Sequence, residues 1–268
     1  MMRRLMLAAL LLGVTTLAEA VTSYTDVWSD VNEQGWGMFL VQSNTFQFIA
    51  FFIYDSNGNP TWYTAHLNDV DGTGKTYTGT LYASTGTYFA NPWQGYIINP
   101  AGTATFTPID IYHATLTYTV GNIPTVTKAV QRQTLTPLVL GPASYSGSVS
   151  GTDTSCNNPA DNNNAINGRF NLTVAQNADA SATLTFTFVD TTYNGMVCTW
   201  TGALNHMGAL YQIAAGQYSC TMQGLSSGVM TAGSLESLHP TGQGIEGRWV
   251  VNKSTGCVET IHFAAVIK

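Results

Sequence analysis

The sequence predicts an all-β fold that is antiparallel and divided into two barrel- or sandwich-like β units. Apolar and polar residues alternate along many short runs, whereas the period of an amphipathic helix is almost absent. Alternation places successive side chains on opposite faces of a strand. Clusters of Gly, Asn, Asp and Pro separate the runs, and many short strands joined by such turns are typical of a sandwich or a closed barrel.

Two runs show the alternation most clearly. Residues 115–120 read Thr-Leu-Thr-Tyr-Thr-Val, and residues 183–188 read Thr-Leu-Thr-Phe-Thr-Phe. Each run has apolar side chains on one face and threonines on the other, as in a half-buried antiparallel strand. Turn residues predict breaks at residues 55–60 and 69–72, the second of which precedes a strand over residues 77–82.

One predicted strand is apolar on both of its faces. It carries Phe46, Phe48, Phe51 and Phe52. Phe51 and Phe52 are adjacent and therefore point to opposite sides of the sheet. We expect this part of the sheet to be covered on both faces.

The first residues have the pattern of a signal peptide, which we place at residues 1–20. Arg3 and Arg4 precede an apolar run over residues 5–12, and Ala18-Glu19-Ala20 forms an A-x-A cleavage site. The apolar run is shorter than the ~20 residues that a spanning helix needs. No later segment is long and apolar enough to span as a helix. The expected destination is the periplasm, the cell surface or the extracellular space.

The low content of charged residues and the negative net charge argue against some classes of binding partner. Charged residues make up 9% of the chain, against ~25% in typical soluble proteins. Thr, Ser, Asn and Gly take their place, which suits an extracytoplasmic β protein. The formal net charge is −6 and no basic stripe occurs, so neither nucleic acid nor an anionic membrane surface is expected as a partner. The oligomeric state stays open.

The chain is expected to divide near its middle. We place an aromatic-rich β domain at residues 21–135, a linker at residues 136–144 and a disulfide-bearing β domain at residues 145–268. Pro137 and Pro142 mark the linker, because proline cannot donate to a sheet ladder.

All four cysteines lie in the second half. In an exported chain they predict two disulfides, for which three connectivities exist. We favour Cys198–Cys220, which would link neighbouring strands, and Cys156–Cys257, which would tie the ends of the domain together. No C-x-x-C pair occurs, so neither a metal site nor a cofactor is expected.

A faint internal repeat crosses the predicted linker. Duplication of one β unit would explain it, and so would chance alternation. The matching positions are Gly35, Gln42, Asp55 and Trp62 in the first half and Gly168, Gln176, Asp190 and Trp200 in the second half.

The first half contains Gly35-Trp36-Gly37 and a hairpin of the form Tyr54-Asp-x-x-Gly-x-Pro-x-Trp-Tyr63, followed by runs at residues 79–93 and 114–132. In these motifs it resembles a family of exported bacterial proteins that has no established activity. The resemblance covers about residues 24–134 and departs from the family pattern at Asp26 and Asn32. It implies an exported β domain and supplies no mechanism.

Some residues match patterns found in hydrolases, but each match lacks part of the structural context that catalysis needs. Gly224 to Gly228 matches G-x-S-x-G around Ser226, but a nucleophile elbow needs a strand that enters a helix. Glu236 with Glu246, or Asp26 with Asp30 and Glu33, would need a defined separation across a cleft to act as a glycosidase pair. A secreted hydrolase of esters or glycosides is therefore kept as an alternative function, and no catalytic residue is assigned.

The aromatic residues are the strongest functional signal. Rigid β scaffolds that expose Trp and Tyr suit stacking on sugar rings or binding of an apolar molecule. We therefore predict a non-enzymatic extracytoplasmic binding module for a carbohydrate or a small apolar ligand. A structural or envelope-interaction protein is a further alternative, whereas the cysteines and the polar strand faces disfavour an outer-membrane barrel. The predicted ligand-binding residues are Trp36, Trp62, Tyr63, Trp93, Arg248 and Trp249.

Overall fold

The computed structural model describes most of the chain after the predicted signal peptide. Residues 1–20 and most of the predicted linker, 136–144, lie outside the described residues. For residues 225–232 only the backbone is described. The described residues are 22–134, 140, 143–177, 179–222, 225–253 and 256–268. Within these ranges, no helix has the length and apolar character needed to cross a membrane.

The fold is all-β, and the first unit is a closed barrel of eight strands. Each strand pairs antiparallel with the next in sequence, and the first strand also pairs with the eighth. The strands are β1 (Asp26–Ser29), β2 (Gly37–Ser43), β3 (Phe46–Tyr54), β4 (Pro60–Asp69), β5 (Tyr77–Gly86), β6 (Tyr96–Pro108), β7 (His113–Val120) and β8 (Val126–Arg132).

The second unit repeats this design with one added strand. Its strands are β9 (Ala143–Thr154), β10 (Ala165–Gln176), β11 (Ser181–Phe188), β12 (Val197–Ala203), β13 (Asn205–Met207), β14 (Leu210–Met222), β15 (Leu225–Pro240), β16 (Gly244–Asn252) and β17 (Val258–Ile267), with a 3-10 turn at Pro159–Asp161. β9 pairs with both β10 and β17, and β12 pairs with β14, so the sheet returns to its start. β13 pairs with β14 beside this ring. β9 begins at Ala143, inside the predicted linker.

Side chains fill the interior of both units. In the first unit Trp28 and Phe106 meet edge to face, with ring centroids 5.1 Å apart. In the second unit Phe186 makes the same kind of contact with Trp249 at 5.0 Å and with Phe263 at 5.1 Å. All five rings are buried. Apolar burial of this kind is the main favourable term in the folding free energy.

Both disulfides join the cysteines that the sequence analysis favoured. Cys198 and Cys220 lie directly opposite each other on β12 and β14, with Cα atoms 4.1 Å apart. Cys156 and Cys257 connect the segment after β9 to the segment before β17, with Cα atoms 3.9 Å apart. The second bond closes a loop with a sequence separation of 101 residues. It therefore restricts the unfolded chain more than the first bond does.

The closing seams of the two barrels differ in length. β9 and β17 pair from Tyr145 opposite Ile267 to Thr154 opposite Val258. β1 and β8 pair only where Trp28 faces Arg132 and at the next position along. The seam of the first barrel therefore needs support beyond its sheet hydrogen bonds.

Arg132 supplies that support. Its side chain is 2% exposed and its guanidinium lies 5.2 Å from the centroid of the Trp28 ring. Nη1 donates to Asp26 Oδ2 at 2.8 Å, which makes a charge-assisted hydrogen bond in a site with little water. Three further donors bind the carbonyl oxygens of Ser23, Thr25 and Ile111.

Two of the repeat positions, the glutamines, make equivalent contacts in the two barrels. Gln42 lies one residue before the end of β2 and accepts a hydrogen bond from the Tyr24 amide, just before β1. Gln176 ends β10 and accepts one from the Leu140 amide, just before β9. Each glutamine thus ties the segment that enters its barrel to the second strand. This agreement, with the shared strand order, favours duplication over chance alternation.

Polar contacts join the two barrels. Asp26 Oδ2 accepts from the Ala209 amide at 2.8 Å, and the Tyr112 hydroxyl accepts from the Ser237 amide at 2.8 Å. Gly208, at φ +64°, makes the approach to Asp26 feasible, because a Cβ there would lie 2.3 Å from Asp26 Oδ2. Burial raises the pKa of Tyr112 to about 12.

His206 belongs to the same contact region. Its ring stacks on Tyr211 with centroids 4.3 Å apart, and its carbonyl accepts from Thr134 Oγ1 at 3.0 Å. Burial lowers the pKa of His206 below its ordinary value, so folding favours the neutral ring.

Replacing Arg132 with Met is expected to lower the free energy of unfolding by about 3–5 kcal/mol, because Asp26 would remain buried without its cation. Lys128→Met is the control, since it removes the more exposed ion pair with Glu33 and is expected to cost less than about 1 kcal/mol. Urea unfolding followed by circular dichroism measures both. Equal losses would show that Arg132 does not hold the seam.

His206 is expected to make the free energy of unfolding decrease as the pH falls. Its pKa is lowered in the folded state, so its contribution is complete above the unfolded value of about 6.5 and is lost as the pH falls through that value. His206→Phe keeps an aromatic ring against Tyr211 and is expected to reduce the loss of stability on going from about pH 7.5 to about pH 5. Urea midpoints at both pH values test this. A loss as large as in the unaltered protein would contradict the role of His206.

Candidate ligand-binding surface

The outer surface of the first barrel has two chemically distinct sides. On β5 to β8, threonines face each other across the strands. The Oγ1 atoms of Thr78 and Thr105 lie 2.8 Å apart, and those of Thr103 and Thr119 lie 3.1 Å apart. These hydroxyls make the side polar without adding charge.

The opposite side is aromatic. We call the outward side chains of β2 to β4 the aromatic face. Phe39 meets Phe52 edge to face at 5.5 Å, and Phe52 lies opposite Trp62 in the sheet register. About half of each of these three side chains is exposed. The members of the aromatic face are Phe39, Val41, Phe46, Phe48, Phe52, Trp62 and His66.

This exposure corrects an expectation from the sequence. The strand that carries Phe51 and Phe52 was expected to be covered on both sides, but only Phe51 is buried. The described residues place no element over Phe52. Monomeric proteins rarely leave a contiguous apolar patch of this kind exposed without a function.

Beside the aromatic face, β5 and β6 extend beyond the barrel. β4 pairs with β5 only as far as Tyr82, and β7 pairs with β6 only from Gly102. Residues 83–86 and 96–99 pair with each other alone, and the register shifts between Leu81 and Tyr82. We call residues 83–99 the arm. A bulge at its base bends a hairpin and increases its twist.

The arm and Trp62 line an open cleft of about 340 Å³. Trp62 comes from β4, whereas the other walls come from the arm. Trp62 also lines a second hollow of about 150 Å³ that extends towards Gly35 and Tyr54. The arm contributes Ser84, Thr85, Gly86, Thr87, Tyr96 and Ile98 to the cleft.

The cleft is uncharged. None of the residues that line it carries an ionisable acid or base other than the Tyr96 phenol. Asp55 and Asp69, the two carboxylates nearest in sequence to Trp62, each hold a turn. Asp55 accepts from the amides of Asn57 and Asn59 at 2.8 Å, and Asp69 accepts from the Gly74 amide at 2.8 Å. The hydrogen bonds from Asn59 lower the pKa of Asp55. The arrangement therefore offers aromatic rings, hydroxyl groups and backbone, without an acid or base placed for proton transfer.

The structure brings together only some of the predicted site residues. Trp62 lines the cleft, and Trp93 lies on the arm with its ring centroid 6.1 Å from that of Tyr96. Trp36 and Tyr63 instead pack against the barrel core. Tyr63 follows Trp62 on one strand and must face the other way.

Arg248 and Trp249 lie in the other barrel and do not reach the cleft. Trp249 is 2% exposed, and its Nε1 donates to Glu259 Oε1 at 3.2 Å. Arg248 forms an ion pair with Glu236 on the neighbouring strand. Trp249 therefore lies in the core of the second barrel, apart from the cleft.

Sequence reasoning missed the polar wall of the cleft. Ser84, Thr85, Thr87 and Tyr96 looked like ordinary strand and turn residues. The one available signal was the density of aromatic residues around 88–96, between two strand patterns. The density of aromatic residues does not reveal that the arm lies beside Trp62.

The candidate catalytic groups have structural partners. Ser226 lies in β15, where its backbone pairs with Thr221 of β14, and this strand pairing does not form a strand-to-helix elbow. Glu246 pairs with His239 at 3.3 Å. Gly224 lies outside the described residues. In the part of the chain that is described, no three His, Cys, Asp or Glu side chains are grouped so as to hold a metal ion.

Comparison with protein-family models finds no match to this chain, and comparison with curated proteins finds none either. The function is therefore inferred from the geometry and chemistry of the cleft.

Accessibility of the tryptophans tests this geometry. Trp62 is 50% exposed and Trp93 is 70% exposed, whereas Trp28, Trp200 and Trp249 are buried. Acrylamide is expected to quench mainly the first two, so Trp62→Phe combined with Trp93→Phe should remove most of the quenchable fluorescence. Trp36→Phe is the control and should leave that fraction nearly unchanged. Unaltered quenching in the double variant would show that both rings are covered.

Proposed function

We propose that this protein is an exported, non-enzymatic binding module that holds a neutral carbohydrate in the cleft between Trp62 and the arm. The observation that carries the proposal is an uncharged cleft with an exposed Trp on one wall and hydroxyl groups on the other. The two disulfides support export, because such bonds persist in oxidising compartments.

The chemistry of the cleft matches that of a sugar ring. A pyranose presents a face of C–H groups, which packs on the π surface of an aromatic ring, and a rim of hydroxyls, which need donors and acceptors. Trp62 and Tyr96 offer the aromatic surface, and Ser84 and Thr85 offer hydroxyls that can both donate and accept, whereas the Thr87 hydroxyl already donates to Gly95 O and accepts from Gln94 N. The absence of Lys and Arg from the lining favours a neutral sugar over an acidic one, because no cation is present to pair with a carboxylate or phosphate.

A small apolar ligand fits less well. Such ligands usually have 70–90% of their surface buried in a cavity of about 300–1,000 Å³. Both barrel interiors are filled by their own side chains, as shown by Trp28, Phe106, Phe186 and Trp249. The cleft beside Trp62 is open on the surface. An open, hydroxyl-lined cleft suits a ligand that keeps part of its surface in water, as a glycan does.

Trp62→Ala should weaken binding of a neutral oligosaccharide about tenfold or more, because it removes the stacking surface. The binding partner is first identified by affinity electrophoresis through gels that contain different neutral polysaccharides. Titration calorimetry with an oligosaccharide of the retarding polymer then gives the dissociation constants.

Phe39→Ala is the matched control, since Phe39 is similarly exposed on the same face but does not line the cleft. We expect its dissociation constant to stay within about twofold of the original value. The proposal fails if no neutral polysaccharide retards the protein, or if the Trp62 and Phe39 variants bind equally well.

A further inference from the structure

The tip of the arm exposes large apolar side chains to an unusual degree. Phe89 is 91% exposed, Trp93 70% and Tyr96 65%. Tyr88 and Ile97 are exposed to a similar extent. None of these residues packs against either barrel core. Apart from Tyr96, they do not line the cleft, so the cleft does not account for them.

The tip loop is held by hydrogen bonds within itself. Thr87 N donates to Gly95 O at 3.2 Å, and Gln94 N donates to Thr87 Oγ1 at 2.9 Å. Asn91 N donates to Tyr88 O at 2.9 Å. These three bonds pair part of the backbone of the tip, which leaves fewer polar groups to desolvate than in a loop without internal hydrogen bonds. The rings of Tyr88 and Phe89 contact each other at 4.6 Å and form one apolar end.

The arm also carries no charge to desolvate. Residues 76–109, which include the whole of the β5–β6 hairpin, contain no Asp, Glu, Lys, Arg or His. The chain as a whole has a formal charge of −6. Anionic lipids would therefore repel it, whereas zwitterionic lipids would not.

We propose that the arm tip inserts into the interfacial layer of a zwitterionic lipid bilayer. Trp and Tyr rings concentrate at this layer because each combines an apolar ring with a polar atom. Phe89 would reach towards the acyl chains, with Trp93 and Tyr96 at the level of the headgroups. The four-residue strand pairs 83–86 and 96–99 hold the tip roughly 13 Å beyond the last barrel pairing, at ~3.3 Å per residue.

Co-sedimentation with sucrose-loaded phosphatidylcholine vesicles tests the insertion. The double variant Phe89→Ser, Trp93→Ser is expected to lose about tenfold or more of the partition coefficient, because it removes the two most exposed rings. The double variant Phe39→Ser, Phe52→Ser removes two exposed rings from the aromatic face and should partition within about twofold of the unaltered protein. Raising the salt concentration should not weaken partition, since no charge pair contributes.

A second readout locates the tip. Vesicles that contain brominated phosphatidylcholine should quench part of the tryptophan fluorescence, and Trp93→Phe should abolish this quenching while preserving partition. The inference is overturned if the unaltered protein stays in the supernatant, if the aromatic-face variant loses as much partition as the tip variant, or if quenching persists without Trp93. Self-association that the tip variant abolishes, in the absence of vesicle binding, would assign the tip to a second copy of the chain instead. Membrane insertion does not depend on glycan binding, so the two proposals fail separately.

Discussion

The first barrel depends on the seam between β1 and β8. A meander of antiparallel strands leaves two edges unless its ends pair, and here the ends share only a short stretch of register. Arg132 compensates by binding three carbonyl oxygens and the Asp26 carboxylate while stacking on Trp28. Because Asp26 also accepts from Ala209, the same network joins the barrels. One buried cation therefore closes the barrel and positions its neighbour.

Buried side chains fill the interior of the closed barrel, so a ligand can bind only at its outer surface. The chain has few charges, so rows of hydroxyls such as Thr78 with Thr105 make the polar side. On the other side, Phe52 and Trp62 stay in contact with water, although burying these rings would favour folding. Such exposed apolar surface is often a binding site. The arm adds the polar wall that turns this aromatic surface into a cleft. The proposed binding of a neutral glycan would use both walls.

The two barrels have a similar order of strands but expose different side chains. Gln42 and Gln176 make the same contact in both. Trp62 and Trp200 occupy matching strands, β4 and β12, but Trp62 points outward whereas Trp200 is buried against Tyr218, with ring centroids 5.0 Å apart. The two barrels thus share a strand order and differ in which side chains they expose. The second barrel has the two disulfides, and the first has the exposed rings.

The sequence by itself determined the strands and the turns, because alternation and turn chemistry are local signals, whereas the cysteine pairs join segments that lie apart in the sequence. Residues 115–120 and 183–188 lie in β7 and β11 as their alternation predicts. Only the tertiary structure decided which face of an all-apolar strand points inward. Trp62 and Tyr63 alternate by necessity, yet nothing local states which of them faces water, and Trp249 was placed at a site although it is core. The cleft depends on how far β4 pairs with β5 and where the arm bends, and these are set by packing between strands distant in sequence.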